Sequence, residues 1–253
     1  MLAIPTLFGV LVVVFVLLRL APGDPIAMMI GPGATTQDIV QLKALYGFDQ
    51  SIATQFWIFL QDAVTGDLGT SISLKREITE LLAERLPLTL ELSILAVAIA
   101  TLIGLSVALL GTRFRGTWLE RVLDAVVGAV TAIPDFLWAL AGILLFGIVL
   151  AVLPAFGLMN GELRFTPVSG FYLTEALLTG RFDVIGSMSI HLILPALSLA
   201  LPLAAIFARV LKASLVEVSS QEFIVLAQTR GYSHWRVLLR EALRNAAIPT
   251  LTL

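Results

Sequence analysis

Few side chains in this sequence have a type and spacing suited to chemistry, and those few point away from catalysis. Histidine occurs twice, as His191 and His234. There is no cysteine, so disulfides, thiolate metal sites and cysteine nucleophiles are excluded together. Lysine occurs three times, as Lys43, Lys75 and Lys212. None of them follows a G-x-x-x-x-G frame, so the chain has no P-loop for ATP. The G-x-S-x-G frame of an activated serine is missing as well. One carboxylate, Asp135, sits inside an apolar run directly after Pro134. Carboxylates within a membrane face the bundle interior or a water path. Asp135 therefore either lines a translocation path or caps the helix that restarts after a Pro134 kink. With a net charge of −2, no nucleic-acid footprint is present.

The longest polar interruption in the second half of the chain is SSQEFIVLAQTRGYSHWRVLLREALRNAAIP, residues 219 to 249. Ser219 and Glu222 have the S-x-x-E spacing of a capping box, which predicts a helix start. Gly231 is placed to stop that helix, because glycine takes the left-handed conformation without strain. Ser233 is placed to cap a second helix. Arg236, Arg240 and Arg244 recur every four residues as a basic stripe opposite Trp235, Leu239, Ala242 and Ala246, a pattern for a helix at a membrane surface.

The elements that position these residues are apolar. The 253 residues are 58% hydrophobic and 13% charged, against about 25% charged in soluble domains. Apolar runs predict an all-α, polytopic transmembrane bundle with crossings near 2–20, 88–110, 123–152 and 191–211, and a fifth beginning at 246–253. Arg19 can snorkel from the end of the first run, and Ala21 to Pro25 is turn chemistry. Residues 22–87 and 154–190 are polar excursions, and 212–245 is the connecting loop that carries the stretch above. Within the first excursion, helices are expected from Thr36 to Leu45, from Ser51 to Thr65 and from Glu77 to Arg85, with a turn at Gly66 to Gly69. Pro134 should kink the third crossing, and Pro195 and Pro202 interrupt the fourth. Arg113, Arg115, Arg121, Arg209, Lys212, Arg230, Arg236, Arg240 and Arg244 fall in two segments, which the positive-inside rule makes cytoplasmic. The N-terminus is then cytoplasmic, both excursions are outside, and the two histidines lie on opposite sides of the membrane. Glu91 falls near the outer end of its helix, where a structural role is expected.

Glu222, Ala227, Gly231 and Ile248-Pro249 resemble the cytoplasmic "EAA loop" of bacterial ABC importer permeases. The flanks Ala208-Arg209, Lys212 to Leu215 and Ala242 to Asn245 agree, and the long gap from Gly231 to Pro249 resembles the dipeptide/oligopeptide/nickel branch. Leu18 to Pro25, Leu45 to Gln50, Gly66 to Gly69 and Glu84 to Pro87 are similar to that branch too.

The resemblance implies the fold of a type I ABC importer permease in a bacterial inner membrane. It implies a second homologous permease subunit, two ATP-binding cassette subunits that bind ATP and Mg, a periplasmic or lipid-anchored substrate-binding protein, and surrounding lipid. This chain itself would hold no cofactor and would not be an enzyme. Glu222, Phe223, Leu226, Ala227, Arg230 and Gly231 are the expected ATPase-coupling residues. Pro134, Asp135, Pro195 and Pro202 are the expected translocation-path residues. The cargo implied is a di- or oligopeptide, nickel or a related small solute. Such permeases have six crossings, so the sequence reads as truncated after the start of the fifth. The rival expectation is a stand-alone secondary transporter or channel that uses Asp135.

Overall fold

The computed structural model describes residues 3–20, 35, 37, 40–41, 44, 47–71 and 73–251. The described residues are helical, apart from turns, loops and an isolated antiparallel bridge between Thr70 and Glu77. Two compact units are present, Met1–Arg85 and Leu86–Leu253.

In the first unit, helix α1 spans Ala3–Leu20 and helix α2 spans Ile52–Thr65. α1 is apolar all round and leaves Ile4, Leu7, Phe8, Val10 and Val13 exposed, as expected of a helix solvated by lipid. Ser51 caps α2 by accepting from the Thr54 N–H, and Gly66 closes it at φ +87°. Gly69 donates its N–H to Asp67 Oδ1, which completes the expected turn. The aromatic face of α2 packs on α1, with Phe56 and Phe59 5.1 and 5.7 Å from the Phe15 ring. Composition placed α2 in a polar excursion and did not foresee this contact. Gln37, Val40, Gln41 and Ala44 are helical, and Gly47 follows at φ +66°. The readings of the Arg19 side chain, of Ala21 to Pro25 and of Thr36 lie outside the described residues.

Helix α3 spans Ile78–Arg113 and runs through Pro87. The separate short helix expected over Glu77 to Arg85 is therefore the first part of α3. A proline inside a helix forfeits one hydrogen bond, but Pro87 is buried, and the helix continues. Helix α4 spans Trp118–Ala132. Helix α5 spans Asp135–Gly142 and widens into a π turn over Ile143–Val149. The third crossing was expected as one kinked helix over 123–152. It is instead two helices bent by 100°. The cause is local: a residue before proline is pushed out of the α region, and Ile133 takes φ −97°, ψ 131°. Helix α6 spans Tyr172–Leu178 and helix α7 spans Phe182–Val218. Residues 182–190, expected in the second excursion, are the first turns of α7. Pro195 and Pro202 lie inside α7 without breaking it.

Small residues set the contact between α3 and α7. Ala96, Ala100, Gly104 and Ala108 recur every four residues on α3, as do Ala196, Ala200, Ala204 and Ala208 on α7. A Cβ on Gly104 would lie 2.8 Å from Phe207 Cβ and 2.9 Å from the Ala204 carbonyl oxygen. Close backbone approach through small residues is how membrane helices gain packing energy. The two helices run parallel: Leu88, Leu92 and Leu95 share a core with Val184, Met188 and Leu192, Ala100 packs with Ala200 and Ala204, and Ala108 packs with Leu211 and Leu215. The bent pair runs back along α7. Glu120 meets Lys212, Thr131 meets Arg209, and Gly142 meets Leu194. The loop after it continues the same course, with Gly157 beside His191 and Asn160 bonded to Ser187.

Helices α3 and α7 are each long and apolar enough to cross a membrane, and α4 with α5 qualifies as a pair. After α7 come α8, Glu222–Thr229, and α9, His234–Arg236, which widens into a π turn over Val237–Ala242 and continues as α10, Leu243–Leu251.

Candidate functional site

The candidate site is the turn–helix–turn between α7 and α10. The capping box expected from Ser219 and Glu222 does not form. α7 extends to Val218, so Ser219 is its C-cap, and the Ser219 hydroxyl donates to the Leu215 carbonyl at 2.6 Å. Gln221 is the N-cap of α8 in extended conformation, with no side-chain cap bond, and Glu222 is the first helical residue. Its charge at that end favours the helix dipole.

The C-terminus of α8 forms as the glycine predicts. Gly231 sits at φ +79° and donates to the Gln228 carbonyl, while Tyr232 donates to Ala227. This pair of bonds is a Schellman motif. Ser233 then caps α9 by accepting from the Arg236 N–H, and the Arg236 guanidinium lies 4.0 Å from the Tyr232 ring centroid, within cation–π range.

Helix α8 has two faces. Ile224 and Ala227 are buried in a cluster with Ala108 and Leu109 of α3, Leu211, Leu215 and Val218 of α7, and Val237, Leu238, Ala242 and Ala246 of the following helix. Glu222, Phe223, Val225, Leu226 and Arg230 are exposed. Ala227, expected on the partner-facing side, thus faces the chain's own interior. The apolar stripe that follows is corrected too. Val237, Leu238, Ala242 and Ala246 are buried, whereas Trp235 and Leu239 are exposed. The π turn inserts extra backbone per turn and shifts the register that a 3.6-residue period assumes.

The translocation-path candidates are not brought together. Pro134 is the N-cap of α5 and Asp135 its first residue, exposed in the first turn. The expected capping role is therefore taken by the proline backbone, and the Asp135 charge complements the helix dipole. Pro195 and Pro202 lie on α7, Pro195 exposed and Pro202 half-buried. His191 Nδ1 lies 2.8 Å from the Ser187 carbonyl oxygen, while His234 opens α9.

A charge cluster went unnoticed in the sequence. The Lys212 ammonium reaches Asp124 Oδ1 and Oδ2 at 2.7 Å each and Glu120 Oε1 at 2.8 Å. Glu120 Oε2 also accepts from the Gly116 N–H at 2.6 Å. Lys212 and Arg209 line a cavity of about 340 Å³ with Asp124, Val107 and Val127. The available signal was the i,i+4 pair Glu120 and Asp124 on one helix and a lone lysine on another. Glu91 likewise accepts from Leu173 N–H, Thr174 N–H and the Thr174 hydroxyl at 3.0, 2.8 and 2.9 Å. The structural role expected of it is to cap α6 across the fold.

Residues 78–253 match the family described as binding-protein-dependent transport system inner membrane component, and residues 1–93 match that family's N-terminal region. The chain is 36% identical to a probable D,D-dipeptide transport system permease protein of Escherichia coli, over 96% of this chain and 72% of the relative. It is 31% identical to a dipeptide transport system permease protein of Alkalihalophilus pseudofirmus, over 100% and 76%. A glutathione transport system permease protein of Escherichia coli is 31% identical over 99% and 72%. The chain belongs to the binding-protein-dependent transport system inner membrane component family.

Proposed function

We propose that this permease subunit works in an ATP-driven importer that takes di- or oligopeptides from an extracytoplasmic binding protein and delivers them to the cytoplasm by alternating access. The observation that carries the mechanism is the two-faced helix α8. Its inner face shares one core with the ends of α3 and α7, and its outer face presents Glu222, Phe223, Leu226 and Arg230. A partner that moves α8 moves both helix ends with it, because packed cores shift as units. The partners in this reading are two ATP-binding cassette subunits, one on each coupling helix, and a second homologous permease. ATP and Mg bind in the cassettes. ATP must favour one state of the assembly over the other for its binding to do work. The peptide cargo follows from the names of the dipeptide and glutathione relatives; nickel or a related small solute is the alternative cargo.

The topology in this reading places the N-terminus and 212–245 in the cytoplasm, with 22–87 and 154–190 outside. Parallel α3 and α7 require the chain between them to return across the bilayer. The bent pair and its loop follow α7 from Lys212 to Ser187, roughly 37 Å at 1.5 Å per residue, enough for a hydrocarbon core of about 30 Å. Pro134 and Asp135 at the break, with Pro195 and Pro202 on α7, are proposed to face the translocation path.

The test is co-purification of the full-length permease, tagged at its native locus. A second permease and P-loop ATPases should accompany it, and reconstituted vesicles should take up a labelled dipeptide only with ATP. A permease that purifies alone and still transports would replace this reading with a secondary transporter centred on Asp135.

A further inference from the structure

A second cavity, of about 250 Å³, lies beneath helix α8. Its polar lining is Thr112, Arg113, Arg115, Ser219, Gln228 and His234, and no carboxylate contributes to it. The Arg113 Nε is buried without a hydrogen-bond partner. A buried guanidinium donor left unpaired is costly, and Arg113 lies on the wall of the cavity. The hydroxyls are already committed, Thr112 donating to the Ala108 carbonyl and Ser219 to the Leu215 carbonyl. The donors left for a guest are the guanidinium groups of Arg113 and Arg115, the Gln228 amide and the His234 ring. Arg115 also feels the charge of Glu120, but the Glu120 oxygens are taken by Lys212 and Gly116.

The geometry points to a binding site for a phosphate-bearing anion in this cavity. Arg113, Arg115 and His234 come from three elements: the end of α3, the loop after it and the start of α9. Donors converging from separate elements suit a tetrahedral oxyanion, and guanidinium groups bind phosphate oxygens in bidentate fashion. The volume holds one phosphate group with bridging waters at about 30 Å³ each. A bound anion would tie Gln228 on α8 to the end of α3 and to the π turn, stiffening the helix proposed to receive the ATPase. The site assignment rests on the cavity and does not depend on the transport reading, so its test needs no ATPase.

The test uses the full-length permease in phosphatidylcholine nanodiscs, titrated with radiolabelled inorganic phosphate. A parallel arm measures retention of phosphatidic acid over phosphatidylcholine by native mass spectrometry. Wild-type binding should saturate in at least one arm. Arg113→Gln should weaken it by about tenfold or more, the loss expected for a charge-assisted hydrogen bond. Gln228→Glu changes an exposed residue on the cavity wall and should weaken binding as much, so the test survives if Arg113→Gln fails to fold. Arg240→Gln, outside the cavity, should bind like wild type. Soluble phosphate binding with these losses identifies a free anion, and phosphatidic acid retention with the same losses identifies a lipid headgroup. Saturation in neither arm, or an equal loss in Arg240→Gln, overturns the site.

Discussion

Glu91 on α3 caps helix α6 from 83 residues away: its Oε1 accepts from the Thr174 N–H at 2.8 Å and from the Thr174 hydroxyl at 2.9 Å. The first N–H groups of a helix have no partner within it, and the N-cap Phe171 supplies no side-chain bond. Glu91 fills that need while 8% exposed. Replacing it with alanine leaves two backbone donors unpaired near the core of Ala176 and Met188. Glu91→Ala should destabilise the second unit by about 1–3 kcal/mol. Thermal unfolding of the purified variant measures this, and amide exchange at Leu173 and Thr174 should rise before exchange in α3 does.

Glu175 makes the loop beside α6 sensitive to pH. It accepts from the Ser169 N–H, the Val168 N–H and the Ser169 hydroxyl, and these bonds hold its carboxyl below the ordinary value of 4.5. The folded pKa is lower than the unfolded one, so the contribution to stability is present above about pH 4.5 and is lost as pH falls through the folded value. Protease cleavage at 167–171 should stay slow from neutral pH to near 4.5 and accelerate below it. Glu175→Gln, which no longer titrates, should flatten that profile.

Gly104 is where α3 and α7 leave no room for a side chain. An added Cβ meets the Phe207 Cβ and the Ala204 carbonyl oxygen at under 3.0 Å, and backbone cannot swing aside as the end of a long side chain can. Gly104→Ala should cost about 1–3 kcal/mol despite alanine's better helix propensity. Gly128→Ala on α4 meets nothing within 4 Å and should be neutral or stabilising. The two midpoints, compared by denaturation in one detergent, separate close packing from a general intolerance of alanine.

Lys212 holds two carboxylates together. Removing its charge leaves Glu120 and Asp124, four residues apart on α4, without their shared cation. The loss of one partner of a buried pair is costly, but Asp124 is 54% exposed and solvent screens it, so a smaller loss of stability is expected. Lys212→Met should lower the unfolding midpoint, and Asp124→Asn in that background should restore part of it. A double variant no more stable than Lys212→Met alone would show that packing of the lysine stem against Gly111 matters more than charge.

The sequence revealed most where one residue decides a local conformation. Gly231 stops a helix because it carries positive φ, and Ser233 caps because its oxygen reaches the third N–H beyond. Apolar runs located α3 and α7 because their composition is imposed by the surrounding solvent. Contacts between distant segments were not legible: nothing near Glu91 announces Thr174, and nothing near Lys212 announces Glu120. The Ser219 capping box failed because α7 runs on to Val218 and uses that serine at its own end. The basic helix was read with the wrong buried face, since a π turn at Val237–Ala242 changes the period on which such a reading depends. The fold and the place of α8 therefore came from the sequence, but which side of that helix faces outward did not.

Leu226 and Ala227 are neighbours on α8, one exposed and one buried, and in the proposed importer they would separate docking from transmission. Leu226 is 51% exposed, and Ala227 is 7% exposed in the core shared with α3 and α7. Leu226→Glu should leave the unfolding free energy within about 0.5 kcal/mol of wild type, as exposed substitutions do, while reducing co-purification of the ATPases and abolishing ATP-dependent uptake. Ala227→Leu should overpack the core by about 1–3 kcal/mol and lower the midpoint. It should retain the ATPases, whose contact face is unchanged, yet uncouple hydrolysis from uptake because α8 no longer seats on Leu211 and Leu215. If Ala227→Leu instead released the ATPases while the fold stayed intact, the buried face of α8 would be the docking face. The inner packing would then have to open when the partner binds.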